Sequence, residues 1–404
     1  MVSNQVNAFL RGDFSSSAYV QRAQDLVPVL KERSARQWNH PRVLDETIQD
    51  MLDAGFFQMF QPKRWGGGET TPIETFEVSS ILAEAEPSVG WVLGVVGIHS
   101  YHLAFFSEQA QEEVWGDNPR TLISSPYAPG TARRVDGGYI LNGRWGFSSG
   151  SDHCAWTFLG GHVEDEPRGS GPATYTFLLP RSDYEIVHNW NVTGLRSTGS
   201  NDLIVKDAFI PEHRALRWDQ ISSGQAPGMV KNTGLMYRIP FFQIFSRATQ
   251  PPAALGALKG MVDAFIDFNA GKVSRHGIHI GQNPEATAVV SESLSHIEEM
   301  KSQVYKNYAR LIAEIEGVGP AVSMDDRRKF RYQAAQIGPR CAKFANELFR
   351  ISGGHAIYDH NAFGRYLNDL MAIQTHQLCN HQLNANAWAG PLLGYAEAAQ
   401  NYAA

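Results

Sequence analysis

Near residue 120 the hydrophobic period of this chain changes from helical to extended, and near residue 215 it changes back. The two periods put apolar residues on different kinds of face, so the chain is expected to fold as helices, then a β-domain, then helices again. Before the change, Val43, Leu44, Ile48, Met51 and Leu52 repeat at helical spacing, and Gly55 supplies the C-terminal stop. QPKRWGGGETTP at 61–72 reads as a loop, and Ile73 to Ala85 resumes the helical spacing. In the middle, RTLISSPYA, GGYILNGRWGFSSG, HCAWTFLGGHV, ATYTFLLP, YEIVHNWNV and NDLIVKDAFIP read as strands, with hairpin-turn chemistry at Asp136-Gly137-Gly138 and Asn142-Gly143.

After the change, Val290, Leu294, Ile297, the aliphatic stem of Lys301, Val304, Tyr308, Leu311 and Ile315 form one continuous stripe. A second stripe, Ile337, Cys341, Phe344, Leu348 and Ile351, runs to Gly353-Gly354, with a kink or break expected at Pro339. Further helices are expected after Pro251-Pro252 and from about Phe363 to His381, which makes a four-helix bundle. The fold class is therefore α+β, divided at 1–117, 118–215 and 216–404.

Residues 88–106, SVGWVLGVVGIHSYHLAFF, carry no formal charge and are long enough to span a bilayer. Two histidines, three glycines and the lack of a basic flank favour a helix buried inside the protein. The net charge of −6 and the absence of a basic run exclude an electrostatic footprint for nucleic acid. Cys154, Cys341 and Cys379 are odd in number and far apart, so no disulfide framework is expected. The N-terminus lacks the apolar core of a signal peptide, and a reducing cytoplasm is the expected compartment.

GFSSG at Gly146–Gly150 matches the GxSxG pattern of serine hydrolases, with Ser148 as the nucleophile. That motif needs strand, sharp turn and helix, whereas the sequence here runs on into a second strand at Trp156. The histidines, including His276 and His279, lack HExxH spacing, so no metal site is expected. No GxGxxG or GxxxxGK occurs, which argues against a nicotinamide or P-loop nucleotide site. His376 shares a helical face with Asp369, Ile373 and Asn380; on spacing alone it is a hydrogen-bonded core histidine or a functional one, as are His99 and His102.

ISSPYAPG at 123–130, GGYILNGRWGFSSGSDHCAWTFLGG at 137–161 and NVTGLRSTGSNDLIVKDAFIP at 191–211 resemble the middle domain of the acyl-CoA dehydrogenase superfamily. FFQMFQPKRWGG, GWVLGVVGIHSYHLAFF and AQEEVWG extend the likeness to its flavin-dependent aromatic monooxygenases, the group that includes p-hydroxyphenylacetate and secosteroid hydroxylases. The resemblance implies an N-terminal helical domain, a central β-barrel-like domain and a C-terminal four-helix bundle, assembled as a homotetramer. It also implies reduced FMN or FAD from a separate reductase, addition of O2 to give a flavin C4a-hydroperoxide, and attack by a phenol, indole or polycyclic aromatic.

Carried over residue by residue, the resemblance puts Ser149 at flavin N5, with Ser148 beside it, and Ser124 and Ser125 along the pocket. It places Trp145 against the isoalloxazine, His99 on the substrate side, and His376 as the base that deprotonates a phenol. Arg275 is matched to flavin phosphate, and Gly353 and Gly354 to a neighbouring subunit's flavin. Asn368 stands where relatives often have Arg. The rival within the superfamily is an acyl-CoA dehydrogenase with bound FAD. Its catalytic glutamate has no counterpart here, since no glutamate occurs between Gly364 and Tyr395. The glycine-containing segment Ser222–Tyr237 is expected to be a mobile lid.

Overall fold

The computed structural model describes residues 4–167, 174–273, 277 and 279–395. Helices of eight or more residues run in the order α1 (Ala18–Trp38), α2 (Asp45–Asp53), α3 (Pro72–Ala85), α4 (Pro87–Leu103) and α5 (Glu108–Trp115). Strands follow: β1 (Ile123–Ser124), β2 (Gly130–Val135), β3 (Gly138–Ser148), β4 (Trp156–Val163), β5 (Tyr175–Pro180), β6 (Glu185–Val187), β7 (Asn201–Pro211) and β8 (Ala215–Arg217). Then come α6 (Gln250–Asn269), α7 (Pro284–Ile315), α8 (Met324–Ala335), α9 (Ile337–Ile351), α10 (Ala362–Gln374) and α11 (His381–Leu392). This is the helix–sheet–helix order expected of the α+β class.

The helix starts follow from side chains that accept the first unpaired N–H groups. Ser17 accepts from Val20, Thr71 from Glu74 and Asn283 from Glu285, with proline at the first helical position of α3 and α7. α4 carries no charge because it is buried on nearly every side. A Cβ on Gly90 would lie 2.5 Å from the Ala83 side chain, and one on Gly94 would lie 2.7 Å from the Ala248 carbonyl oxygen. The glycines therefore let α3 and the residues leading into α6 close directly onto α4. Among the described residues, no helix is long and apolar enough to cross a membrane.

The eight strands form one sheet in the order β6-β7-β3-β2-β4-β5-β8, with β1 paired to β4. β3 and β5 are three places apart in that order, about 14 Å in a flat sheet. The Tyr139 and Phe177 rings they carry are nevertheless 5.4 Å apart, so the sheet curls around its own core. Leu141, Trp145, Leu159, Phe177, Leu179 and Leu203 fill that core. All six strands expected from the sequence are present, and β2 and β8 are additional.

Two expectations need correction. The helix expected to run from Phe363 to His381 ends at Gln374, and His376 begins a separate short turn, Gln377–Cys379. The expected lid is anchored instead: Gly228 N–H donates to Phe105 O at 3.0 Å, Asn232 Nδ2 to Ala104 O at 2.7 Å and Tyr237 Oη to Phe60 O at 2.9 Å. Near Pro339 the two helices α8 and α9 part at Gln336, three residues before the proline. Residues before 40, unread from the sequence, contribute α1.

Candidate active site

The three regions meet where α4, the end of β3, the 191–200 loop and the turn after α10 converge. At the end of β3 the pairing with β7 shifts between Trp145 and Ser148. Phe147 takes a left-handed backbone, φ 66°, in the region that disfavours a side chain. Its ring is 76% exposed and stands 6.0 Å from the ring of Trp190. Ser148 and Ser149 turn inward and are buried. Among the described atoms Ser148 Oγ has no hydrogen-bond partner.

Ser149 Oγ accepts from the Trp91 indole Nε1 at 3.2 Å and lies 2.7 Å from Ser200 Oγ. Ser200 Oγ is 2.6 Å from Thr198 Oγ1, which donates to Leu195 O at 3.0 Å. Leu195 N–H donates to Asp369 Oδ1 of α10 at 2.5 Å. Trp91 also meets the His376 ring edge to face, 5.4 Å between centroids. One connected path thus runs from the bundle through the β-domain loop to Ser149, and through Trp91 of α4 back to the bundle.

The histidines of this junction are kept neutral. Burial lowers the His376 pKa to about 4, and that of His99 to about 4 against an opposing hydrogen bond to Ile123. His376 Nδ1 accepts from Leu378 N–H at 3.2 Å, so the neutral ring carries its hydrogen on Nε2. His99 is the reverse: Nδ1 donates to Ile123 O at 2.6 Å, which leaves Nε2 as an acceptor. His102 lies one turn on, with Nδ1 2.8 Å from Tyr127 Oη and Nε2 without a partner among the described atoms. Rings of Phe106, Tyr127, Phe158, Trp218 and Phe241 pack around it.

Behind the path, Glu86 and Asp369 are buried near Arg365. Burial pushes both carboxyls above the ordinary range, and the Asp369 charge pushes Glu86 further.

Of the residues expected from the sequence, Ser149 and His376 come together through Trp91, and Ser148 lies beside them. His99 faces Phe158 from α4. Ser124 donates to Thr157 Oγ1 at 3.0 Å behind the wall, and Ser125 supports the Tyr127 hydroxyl. Trp145 departs from expectation: it is 1% exposed within the curled sheet, and its Nε1 donates to Gly160 O at 2.9 Å. The ring that stands out beside Ser149 is that of Phe147. Gly353 and Gly354 are exposed at the end of α9, away from the junction, and Arg275 lies outside the described residues.

Trp91, Phe147, Thr198, Ser200 and Tyr127 were not singled out from the sequence. The two tryptophans, Trp91 and Trp145, differ only in location, and a tryptophan in an uncharged helix was the one available signal. Ser148 ends a strand, and the chain continues through a short turn, Ser151–His153, into β4, so the strand–turn–helix of a hydrolase elbow is absent here. No group of three or more His, Cys, Asp or Glu side chains able to hold a metal occurs among the described residues.

Comparison with known proteins adds four findings. Residues 18–117 match the family "Acyl-CoA dehydrogenase, N-terminal domain", and residues 248–381 match "Acyl-CoA dehydrogenase, C-terminal domain". The oxygenase subunit HsaA of a flavin-dependent monooxygenase from Rhodococcus jostii (strain RHA1) is 35% identical over 365 residues, covering 88% of this chain and 93% of that one. The oxygenase component of an FADH2-dependent resorcinol hydroxylase from Rhizobium sp. (strain MTP-10005) is 30% identical, covering 85% and 86%. The crystal structure of 3-HSA hydroxylase from Rhodococcus sp. RHA1 superimposes with a TM-score of 0.88 at 32% identity, covering 94% of this chain and 97% of that one.

Proposed function

Because the chain belongs to the family of flavin-dependent monooxygenase oxygenase components built on the acyl-CoA dehydrogenase fold, we propose that it uses reduced flavin and O2 to hydroxylate an aromatic substrate. The observation that carries this reading is the junction of Ser149, Trp91 and His376, where all three regions of the chain contribute to one site. The residues present suit a flavin ring. Phe147 offers an exposed aromatic face in a strained backbone, Ser149 offers a hydroxyl beside it, and buried Ser148 Oγ has no hydrogen-bond partner among the described atoms. When bound, reduced FMN or FAD supplies the electrons that activate O2 for transfer of one oxygen atom to the ring.

The chain's own residues bind, orient and keep water out. His376, neutral with its hydrogen on Nε2, donates to the substrate's phenolic oxygen. In this tautomer it orients a phenol or phenolate; acting as a base would require breaking the Leu378 bond. His99 Nε2 is the acceptor on the opposite side. The rings around His102 exclude water from that wall.

A separate reductase supplies the reduced flavin. The chain assembles as a homotetramer in which Gly353 and Gly354 approach a neighbour's flavin and Arg275 its phosphate. The exposed Leu392 and Leu393 at the end of α11 support burial against another copy. The three free, buried cysteines support a reducing cytoplasm.

The test is to mix the protein anaerobically with reduced FMN or FAD and a phenol, then admit O2 labelled with oxygen-18. The expected result is labelled hydroxylated product, with Ser149→Ala diverting about tenfold more of the flavin oxidation to hydrogen peroxide. Hydrogen peroxide alone from phenols, indoles and polycyclic aromatics, together with reduction of bound FAD by an acyl-CoA, would establish the dehydrogenase instead.

A further inference from the structure

Ser149 stands in a run of hydrogen bonds whose two ends can each act in only one direction. At one end the Trp91 indole Nε1–H donates to Ser149 Oγ, and an indole N–H cannot accept. At the other end Thr198 Oγ1–H donates to Leu195 O, and a carbonyl oxygen cannot donate. Between them lie the contacts of Ser149 with Ser200, 2.7 Å, and of Ser200 with Thr198, 2.6 Å.

Each hydroxyl has one hydrogen. Leu195 O also accepts from the Trp190 indole Nε1 at 2.9 Å and from Thr198 N–H at 3.2 Å; the one arrangement that gives every contact of the run a hydrogen has Thr198 donating to Leu195, Ser200 to Thr198 and Ser149 to Ser200. Turning Ser149 away would leave three oxygen–oxygen contacts, Ser149–Ser200, Ser200–Thr198 and Thr198–Leu195, with two hydrogens between them. One of them would then set lone pair against lone pair, in an interior where all three side chains are buried. The backbone holds both ends of the run: Leu195 N–H on Asp369 Oδ1, and Gly150 N–H on Thr198 O at 2.8 Å. Ser149 has one lone pair left after Trp91, and it meets an incoming ligand as an acceptor.

Resting on the placement of Ser149 against the flavin N5 edge, we propose that Ser200 and Thr198 are positioning residues that hold Ser149 as an acceptor, so that the site selects reduced flavin over oxidised flavin. Reduced flavin carries a hydrogen on N5 and donates it to Ser149. Oxidised flavin has a bare N5, which sets a lone pair against a lone pair. An oxygenase that borrows its flavin must load the reduced form and release the oxidised form, and the one polarity serves both needs.

The measurement is the ratio of dissociation constants for oxidised and reduced FMN, repeated with FAD, on the full chain, with the reduced form titrated anaerobically. Ser200→Ala frees the Ser149 hydrogen to donate to bare N5. The dissociation constant for oxidised flavin is expected to fall about tenfold, the equivalent of one hydrogen bond, while that for reduced flavin stays within about twofold. Thr198→Val acts in the same direction, because the hydrogen of Ser200 then turns to Ser149. Ser200→Thr keeps the hydroxyl and the wild-type ratio.

The proposal is overturned if Ser200→Ala and Thr198→Val both fold, by circular dichroism, and both keep the ratio within about twofold of wild type. Ser149→Ala separates the two levels of the reading. If it changes reduced-flavin affinity while the Ser200 and Thr198 variants leave the ratio alone, only the directional run is wrong. If it changes neither affinity, Ser149 does not touch the flavin, and the placement beneath the proposal falls with it.

Discussion

The two walls of the junction solve one problem by different means. The β-domain wall is built of hydroxyls, Ser149, Ser200 and Thr198, each joined to the next and held by the Trp91 indole at one end and the Leu195 carbonyl at the other. The helical wall is built of rings, Trp91, His99, His102 and His376, packed edge to face or tilted with few polar partners each. Both walls are buried, so neither tolerates an unplaced proton. In the hydroxyl wall the directions are set by a chain with fixed ends, and in the ring wall by burial that keeps imidazoles neutral. The first should therefore fail when its anchors move, and the second when a single partner is removed.

The anchor is the sharper place to break the comparison. Gly194 precedes Leu195, and a Cβ built on it would lie 2.0 Å from Asn368 O of α10. That is backbone, which cannot swing aside. Gly194→Val should separate the loop from α10, cost about 3 kcal/mol of stability by urea unfolding, and abolish flavin binding. A variant that kept both stability and flavin affinity would show that the hydroxyl wall does not depend on its contact with the bundle.

What could be read from the sequence divides along the same line. Period and turn chemistry exposed the helix–sheet–helix order, six of the eight strands and the long α7. β2 was missed because only Ala132 in it is fully buried, and one inward residue makes no alternation. The stop at Gln374 was invisible because no Gly or Pro marks it; His376 and Asn380 cap the next two turns instead. Trp145 was matched to the flavin ring by resemblance, and on a regular strand Trp145 and Phe147 would share a face. The shift in pairing before Ser148 undoes that spacing and turns only Phe147 outward. Directions of hydroxyl hydrogens depend on which groups meet across three regions, and no local pattern encodes that.

On the ring wall, Tyr127 is the hydrogen-bond partner of His102 Nδ1, and His102 has none at Nε2 among the described atoms. Tyr127→Phe keeps the packing and leaves a fully buried imidazole without that bond. The expected loss is about 1–2 kcal/mol in urea unfolding, with the ratio of oxidised to reduced flavin affinity unchanged. A shifted ratio would mean that the two walls are coupled, against the division drawn above.

The smallest effect concerns pH and sets the carboxyls behind the hydroxyl wall against the histidines of the other. Burial raises the folded pKa values of Glu86 and Asp369 above the ordinary carboxyl range, so the folded protein holds more protons than the unfolded chain in the window between that range and the raised values. Their contribution to stability is full at low pH and is lost as pH rises through that window. His99 and His376 have folded values lowered to about 4, so their contribution is lost as pH falls from the ordinary imidazole range toward 4. Stability should peak between the two limbs. The charged groups facing the pair are Arg365 of α10 and Arg196 of the loop. Asp369→Asn keeps an oxygen for Leu195 N–H and removes the charge that opposes Glu86, so only the alkaline limb should flatten. The variant's Tm should overtake that of wild type by roughly 2 °C at pH 8, while the acid limb runs parallel in both proteins. If the two curves stayed parallel from pH 5 to pH 8, the carboxyl pair would not be the source of the alkaline loss. A change in the acid limb would instead tie Asp369 to the histidine wall.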